Sequence, residues 1–309
     1  MQSIRGVRIS ILGGDARSAY AATQLAEYGA LVRMSFLPVN TGVPNVTTTD
    51  DLEELVSNAD ALVVPLPGIN QEGLLATLNG EWVAIPERIF AKVPRSCPVI
   101  CILARLYLRD VVKRYGLELV ELNQRDDFAI LNSIPSAEGA IQMAMSKTLI
   151  TIHGSRSLVI GLGRTGITLA RLLKGMGAMT TVVARNPAAQ ARALEMGCEV
   201  FDFDRLGDAV SRAEIIFNTV PQMVLDRPVL QRVSPGTYIL DLASAPGGTD
   251  FKAAEQLGIT AELAPSLPGI VAPKTAGQIL ARIVARVIAE STPGFHRGRE
   301  VIVNALQRT

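Results

Sequence analysis

The sequence is poor in the residues that build metal centres and disulfide frameworks. Its 309 residues include three cysteines, Cys97, Cys101 and Cys198, and two histidines, His153 and His296. An odd number of cysteines without zinc-ligand spacing reads as reduced packing residues, and two histidines are too few for a histidine-built metal site. No metal is expected. An excess of one charge is also missing: 30 Lys and Arg against 29 Asp and Glu leave a formal net charge of +1. The chain therefore lacks the basic footprint of nucleic-acid binders. No apolar run reaches the length of a membrane span, and the first residues lead into a strand pattern rather than a signal peptide. The expectation is a cytoplasmic protein with no membrane or nucleic-acid partner. What the chain has in plenty is aliphatic side chain, with 48% hydrophobic residues of which few are aromatic. That composition suits parallel sheets buried on both faces, and the length suffices for two cored domains.

Strand and helix patterns alternate in two series. In the first half, residues 7–12, 31–36, 61–65, 98–103 and 117–122 read as strands, with helical patterns at 16–28 and 106–115. The second half repeats the theme with strands at 158–160, 179–184, 215–220, 238–242 and 259–261. This alternation predicts an α/β fold of two doubly wound, Rossmann-like parallel-sheet domains joined by crossing helices. The expected partition places an N-terminal substrate and catalytic domain at 1–135 and a connecting helix at 136–150. A nucleotide-binding domain follows at 151–275, then a helix at 276–290 returning to the first domain, and a flexible tail at 291–309. Ser136, after Pro135, offers a capping hydroxyl for the connecting helix, and Glu138 sets an acid in its first turn.

One motif outweighs the rest. A short apolar run, 158–160, enters Gly161-Leu162-Gly163-Arg164-Thr165-Gly166, and a helical pattern follows. A dinucleotide pyrophosphate needs this order: Gly161 for a tight turn, Gly163 for backbone approach to phosphate, Gly166 for close packing of helix on strand. The helix N-terminus then faces the anion, with Arg164 and Thr165 in its first turn. The next strand ends in Ala184-Arg185, where NAD sites usually hold an acid for the ribose 2′-hydroxyl. A carboxylate there would repel a 2′-phosphate, whereas a guanidinium grips it with paired hydrogen bonds, so NADP is the expected cofactor. Later strand ends add Asn218-Thr219 and Ser244 as polar groups for the cofactor's nicotinamide half.

The first strand ends in a second glycine turn, Gly13-Gly14-Asp15-Ala16-Arg17. Two readings stay open for it. Either it is a nucleotide-fold turn without a ligand, with Asp15 capping the helix, or Arg17 and the helix end hold a substrate carboxylate. Arg125-Asp126-Asp127 reads as an ion-pair turn. His153 has the titration range of a proton acceptor, although a single histidine near a strand start is more often structural. Lys274 and Thr275 close a long proline-glycine loop before the last helix, where they suit an anion.

Several blocks occur in a fixed order: Gly13 to Arg17, Arg125 to Asp127, Asn132 to Ser136, Ile152 to Ser155, Gly161 to Gly166, Asp241 to Ser244, Pro246 to Phe251 and Leu267 to Leu280. With them the chain resembles the dipicolinate synthase A-subunit family of endospore-forming bacteria over about residues 5–290. The resemblance implies a sporulation enzyme of the mother-cell cytoplasm that works with a flavoprotein-like dipicolinate synthase B-subunit. It also implies NADP-dependent oxidation of a dihydrodipicolinate, derived from 4-hydroxy-tetrahydrodipicolinate, to dipicolinate. A cyclic dicarboxylate needs two anion subsites. Arg17, with Asp15 and Ser136 nearby, is assigned to one, and Lys274 with Thr275 to the other. His153 or Glu138 would take the ring proton, and a homo-oligomer is expected besides the hetero-oligomeric partner. Two alternatives remain: an NADP-linked dehydrogenase of another small acid or folate, and a nucleotide-binding protein that docks and regulates a partner.

Overall fold

A computed structural model describes residues 4–37, 42–77 and 80–291. The tail expected to be flexible, apart from Ser291, lies outside the described residues, as does His296. In chain order the elements are β1 Arg8–Leu12, α1 Ala16–Glu27, β2 Leu31–Ser35, β3 Val46–Thr48, α2 Leu52–Ser57, β4 Ala61–Val64, β5 Leu74–Ala76, β6 Trp82–Ala84, β7 Val99–Cys101, α3 Leu106–Arg114 and β8 Leu119–Glu121. Then come α4 Asp126–Lys147, β9 Arg156–Ile160, α5 Arg164–Gly175, β10 Met179–Val183, α6 Pro187–Glu195, β11 Glu199–Phe201, α7 Leu206–Val210, β12 Ile215–Asn218, α8 Arg227–Leu230, β13 Tyr238–Asp241, α9 Phe251–Gln256, β14 Thr260–Leu263, α10 Leu267–Val271 and α11 Pro273–Ser291.

Two compact units result. The first runs to Phe128 and resumes at Pro273; the second is Ala129–Ala272. Each holds a six-stranded parallel sheet, ordered β3-β2-β1-β4-β7-β8 in the first and β11-β10-β9-β12-β13-β14 in the second. In both, the order reverses between the first strand and the fourth, which opens a crevice at the carboxyl ends of those strands. The central strands are apolar on both faces, as burial between two helix layers requires: Ala61–Val64 and Ile215–Asn218 are buried at every position.

Both units repeat one clamp. Arg8 donates from its backbone N–H and Nε to Asp60 Oδ2, which precedes β4. Arg156 donates from its backbone N–H to Glu214, which precedes β12. In each case the start of the first strand is tied to the start of the fourth, so the crevice opens at the opposite end of a braced pair.

Three details differ from the sequence reading. Each sheet has six strands rather than five, because β3 and β11 are three-residue edge strands with little apolar signal. A small antiparallel hairpin, β5–β6, is inserted before β7. The connecting helix does not start at Ser136: α4 begins at Asp126 and carries Pro135 in its interior. Ser136 is therefore not a cap. Its Oγ donates to Asn132 O at 2.8 Å within the helix. The helix starts earlier because Asp126 and Asp127 supply acids to its first turn, favourable against the helix dipole.

The Arg125-Asp126-Asp127 turn is an ion-pair brace in the first unit. Arg125 donates to Asp127 (Nη2–Oδ2 3.0 Å) and Glu290 (Nη1–Oε2 2.9 Å), and Arg286 donates to Asp127 at 2.8 Å, which joins the turn to α11. Hydrogen bonds from Arg125 hold the Asp127 carboxyl below its ordinary value of 3.8. A depressed folded value means the brace is fully present above that pH and is lost as pH falls through the folded value. Asp127→Asn is expected to be less stable than the parent at neutral pH, with the difference shrinking as pH falls below the ordinary value of 3.8 and through the lowered folded value. Chemical denaturation of both proteins across that range checks it, and a pH-independent difference would exclude the brace as its source.

Candidate functional site

The glycine loop of the second unit separates protein demands from ligand demands. Gly161 has φ +87°, and a Cβ on it would lie 2.7 Å from Thr219 Oγ1 and Val220 Cγ2. Gly166 backs directly onto the loop: a Cβ there would lie 2.2 Å from Gly161 O. The chain itself therefore requires both glycines. Gly163 is different, since a Cβ on it would meet nothing within 4 Å. It is the N-cap of α5 with ordinary extended dihedrals and no side-chain cap bond. Nothing among the described residues needs a glycine there, and what a side chain would obstruct is the space in front of a helix N-terminus. A pyrophosphate fits that space, because it needs N–H donors and close backbone approach. Arg164 is exposed and Thr165 half-buried beside it.

At the end of β10, Ala184 is buried and Arg185 exposed. The Arg185 guanidinium stacks on Phe203, with Cζ 4.8 Å from the ring centroid. Both border a cavity of ≈ 460 Å³ that Met223 and Val224 also line. Leu206 and Val229 add apolar wall beside the stacked guanidinium, while Asp204 and Arg232 add one charge of each sign. Phe203 escapes the sequence reading, although an aromatic two residues past β11 is an available signal. Asn186, next along, caps α6 through Ala188 N at 2.8 Å.

Two of the expected cofactor contacts are engaged within the protein. Asn218 is fully buried; its Nδ2 donates to Val220 O and Asp241 Oδ2, and its Oδ1 accepts from Val220 N. Both amide N–H groups are used and the side chain is fully buried, so Asn218 acts as a brace between the β12 and β13 strand ends and not as an exposed cofactor contact. Thr219 Oγ1 donates to Ile160 O at 2.9 Å, which places it under the glycine loop as support. Ser244 is exposed on the loop after β13, with no side-chain bond among the described residues.

In the first unit the Gly13-Gly14 turn is filled from within. A Cβ on Gly13 would lie 2.4 Å from Leu75 Cδ2, and one on Gly14 would lie 2.0 Å from Ser18 Oγ. The β5–β6 hairpin thus seats Leu75 where a nucleotide would approach, and Asp15 caps α1 through Arg17 N at 3.0 Å. The filled turn leaves no room for a nucleotide at Gly13 and Gly14. Arg17 is buried, with its guanidinium against the Asp15 carboxylate (Nε–Oδ1 2.9 Å). Lys274 and Thr275 are exposed in the first turn of α11. Helix α11 crosses α1 so closely that a Cβ on Gly277 would lie 2.4 Å from Arg17 O. The structure therefore gathers Asp15, Arg17, Lys274 and Thr275 at the N-terminal ends of two touching helices.

The proposed proton acceptors fare differently. His153 is exposed before β9, and its Nδ1 packs 2.3 Å from where a Gly177 Cβ would be, at the turn into β10. Those are the amino ends of the strands. The glycine loop lies at the other end of β9, about 16 Å away. His153 is a surface residue of the wrong edge and cannot serve the crevice. Glu138 is exposed on α4 with no ion-pair partner among the described residues, and Ser136 is half-buried on the same helix. Among the described residues, no group of three or more His, Cys, Asp or Glu could hold a metal, and no helix is long and apolar enough to cross a membrane.

Comparison with known proteins agrees with this division. Residues 8–123 match the family described as the dipicolinate synthase A-subunit N-terminal domain. Residues 134–246 match the NAD binding domain of D-isomer specific 2-hydroxyacid dehydrogenases. The dipicolinate synthase A-subunit of Bacillus subtilis (strain 168) is 41% identical over 289 residues, which cover 93% of this chain and 97% of that protein. Two crystal structures superpose closely. The A-subunit from Bacillus halodurans has a TM-score of 0.87 at 38% identity, covering 93% of this chain and 99% of that one. Its B. subtilis counterpart has a TM-score of 0.86 at 40% identity, covering 93% and 97%. With a nicotinamide-dinucleotide domain of the dehydrogenase type following a family-specific first domain, the chain belongs to the dipicolinate synthase A-subunit family.

Proposed function

We propose that this chain is an NADP-dependent dehydrogenase that oxidises a cyclic dihydrodipicolinate to dipicolinate, acting with a partner subunit during sporulation. The observation that carries the cofactor reading is Gly163, an uncapped helix N-terminus with open space where any side chain would project. Arg185, stacked on Phe203 at a strand end that lacks an acid, supports the 2′-phosphorylated form. Gly161, Gly163, Arg164, Thr165 and Gly166 would hold the pyrophosphate, Ala184 and Arg185 the adenosine ribose, and Ser244 a nicotinamide-side hydroxyl. When bound, the nicotinamide accepts a hydride.

The chain's own work is to bind and orient. The substrate ring loses one hydride and one proton and becomes aromatic, so the remaining demand is alignment of the donor carbon. Its two carboxylates need two donor-rich subsites. Arg17 with the α1 end supplies one, and Lys274 with Thr275 at the α11 end supplies the other. Asp15 orients the Arg17 guanidinium. Glu138, exposed and with no ion-pair partner among the described residues, is the remaining candidate to receive the proton.

The test is formation of reduced cofactor by the purified chain, with and without its partner, on freshly made lysine-pathway synthase product. Reduction of NADP accompanied by dipicolinate is expected. Its absence in both arms would overturn the dehydrogenase reading and favour a docking role. Arg185→Ala is expected to raise KM for NADP about tenfold to a hundredfold, since hydrogen bonds to a charged group are at stake, and to leave KM for NAD unchanged. Equal effects on both cofactors would remove Arg185 from the 2′-phosphate.

A further inference from the structure

Asp241 is a fully buried acid at the carboxyl end of β13, with no ion pair to a cation among the described residues. Four donors converge on it instead. Oδ2 accepts from Asn218 Nδ2 (3.0 Å), Gly248 N (2.8 Å) and Thr249 Oγ1 (2.6 Å), and Oδ1 accepts from Ala243 N (3.0 Å). Both ends of the loop from Leu242 to Gly248 are thereby tied to one carboxylate. The loop also packs closely on the one after β12, since a Cβ on Gly248 would lie 2.3 Å from both Val220 O and Gln222 O. Gly248 O in turn accepts from Val224 N and Leu225 N, which welds this loop to the one after β12. Ser244, Ala245 and Pro246 are the exposed residues of the tied loop; Ser244 is the one of the three with a polar side chain, and its backbone O accepts from Gly247 N. In a doubly wound fold the second half-sheet, here β12 to β14, serves the second mononucleotide. The Asp241 loop belongs to that half, while the glycine loop, Arg185 and Phe203 belong to the other.

We propose that Asp241 is a positioning residue: by accepting from Ala243 N and Gly248 N it fixes the loop that presents Ser244 to the nicotinamide half of the dinucleotide. This rests on the dinucleotide reading above. The chemistry explains why the position holds an acid. A carboxylate only accepts, and all four neighbours donate. An amide of the same shape can keep its oxygen on the three donors at the Oδ2 position, but its NH2 then confronts Ala243 N. Asp241→Asn therefore loosens the Ala243–Ser244 side selectively and leaves the Gly248 O bonds to Val224 and Leu225 in place.

The experiment measures two affinities by calorimetry on the full chain: NADP, and adenosine 2′,5′-bisphosphate, which is the adenine half alone. Asp241→Asn is expected to weaken NADP about tenfold, the worth of one donor left facing a donor, and to leave the half-ligand unchanged. Thr249→Val, which removes one donor and keeps the acid, is expected to show the same selectivity in milder form and covers the case in which the first variant fails to fold. Equal weakening of both ligands would mean a general structural role and overturn the proposal, as would no change in either. Failure of the parent chain to bind NADP would instead overturn the dinucleotide reading beneath it.

Discussion

Gly166→Ala should abolish dinucleotide binding and lower the melting temperature, whereas Gly163→Ala should abolish binding while leaving the melting temperature almost unchanged. The two residues sit three apart in one motif, yet their surroundings are opposite. At Gly166 a methyl group would lie 2.2 Å from Gly161 O and 3.0 Å from Gly161 C, both backbone atoms that no side-chain rotation can clear. Helix α5 would have to withdraw from β9 along a buried face carrying Leu169, Ala170 and Leu173. Overpacking of that kind costs about 3 kcal/mol. In a domain of this size that corresponds to a fall of about 6–12 °C.

At Gly163 none of this applies. Its φ of −82° and ψ of −164° suit alanine, and nothing stands within 4 Å of the new methyl. Alanine is a poorer N-cap than glycine by about 1 kcal/mol, but it also lowers the entropy of the unfolded chain by about 0.4–1 kcal/mol, so the two largely offset. The methyl instead occupies the approach of the phosphates to the helix N-terminus. Thermal denaturation with a cofactor titration separates the two effects. A Gly163→Ala protein that binds dinucleotide as the parent does would place the pyrophosphate elsewhere.

The parts of the molecule that are legible in the sequence are those encoded by local chemistry. The Gly161-x-Gly163-x-x-Gly166 order places a turn, a helix N-cap and a packing contact in sequence across one strand-to-helix junction, and alternating aliphatic runs identify the central strands. The edge strands β3 and β11 are illegible because three partly polar residues, Val46–Thr48 and Glu199–Phe201, bury too little to leave a pattern. The start of α4 is easily misplaced because Pro135 resembles a helix boundary, while the true start depends on Asp126 and Asp127. Asn218 looks like a ligand because a polar strand end in a crevice usually is one; its use by Val220 and Asp241 is a tertiary fact. The position of His153 needs no structure to rule it out. A residue before a parallel strand lies at the amino edge of the sheet, and the chemistry of doubly wound folds lies at the carboxyl edge. The filling of Gly13 by Leu75 has no local signature, since the two residues are 62 positions apart and meet only through the β5–β6 hairpin.

Gly277→Ala should separate the two helix ends of the first unit that are proposed to bind the dicarboxylate. Helices α1 and α11 touch through backbone at this point: the new methyl would lie 2.4 Å from Arg17 O, 2.7 Å from Tyr20 Cβ and 3.0 Å from Ala21 N. Two of those atoms belong to the main chain of α1, so relief requires the helices to part. The cost is about 2–3 kcal/mol, in the range for overpacked interiors. Gly175→Ala serves as the control, because Gly175 is also helical but has nothing within 4 Å. There alanine should be neutral or stabilise by up to about 1 kcal/mol. Parting the helices also moves Lys274 and Thr275, one turn before Gly277, away from Arg17. A dicarboxylate held between them loses the match of its two charges to two subsites, whereas the dinucleotide site in the other unit keeps its geometry. Steady-state kinetics on Gly277→Ala should therefore show KM for the cyclic dicarboxylate raised about tenfold, the worth of one charged hydrogen bond, with KM for the dinucleotide unchanged. A drop in melting temperature without a change in the dicarboxylate KM would keep the packing contact and remove the substrate from these helix ends.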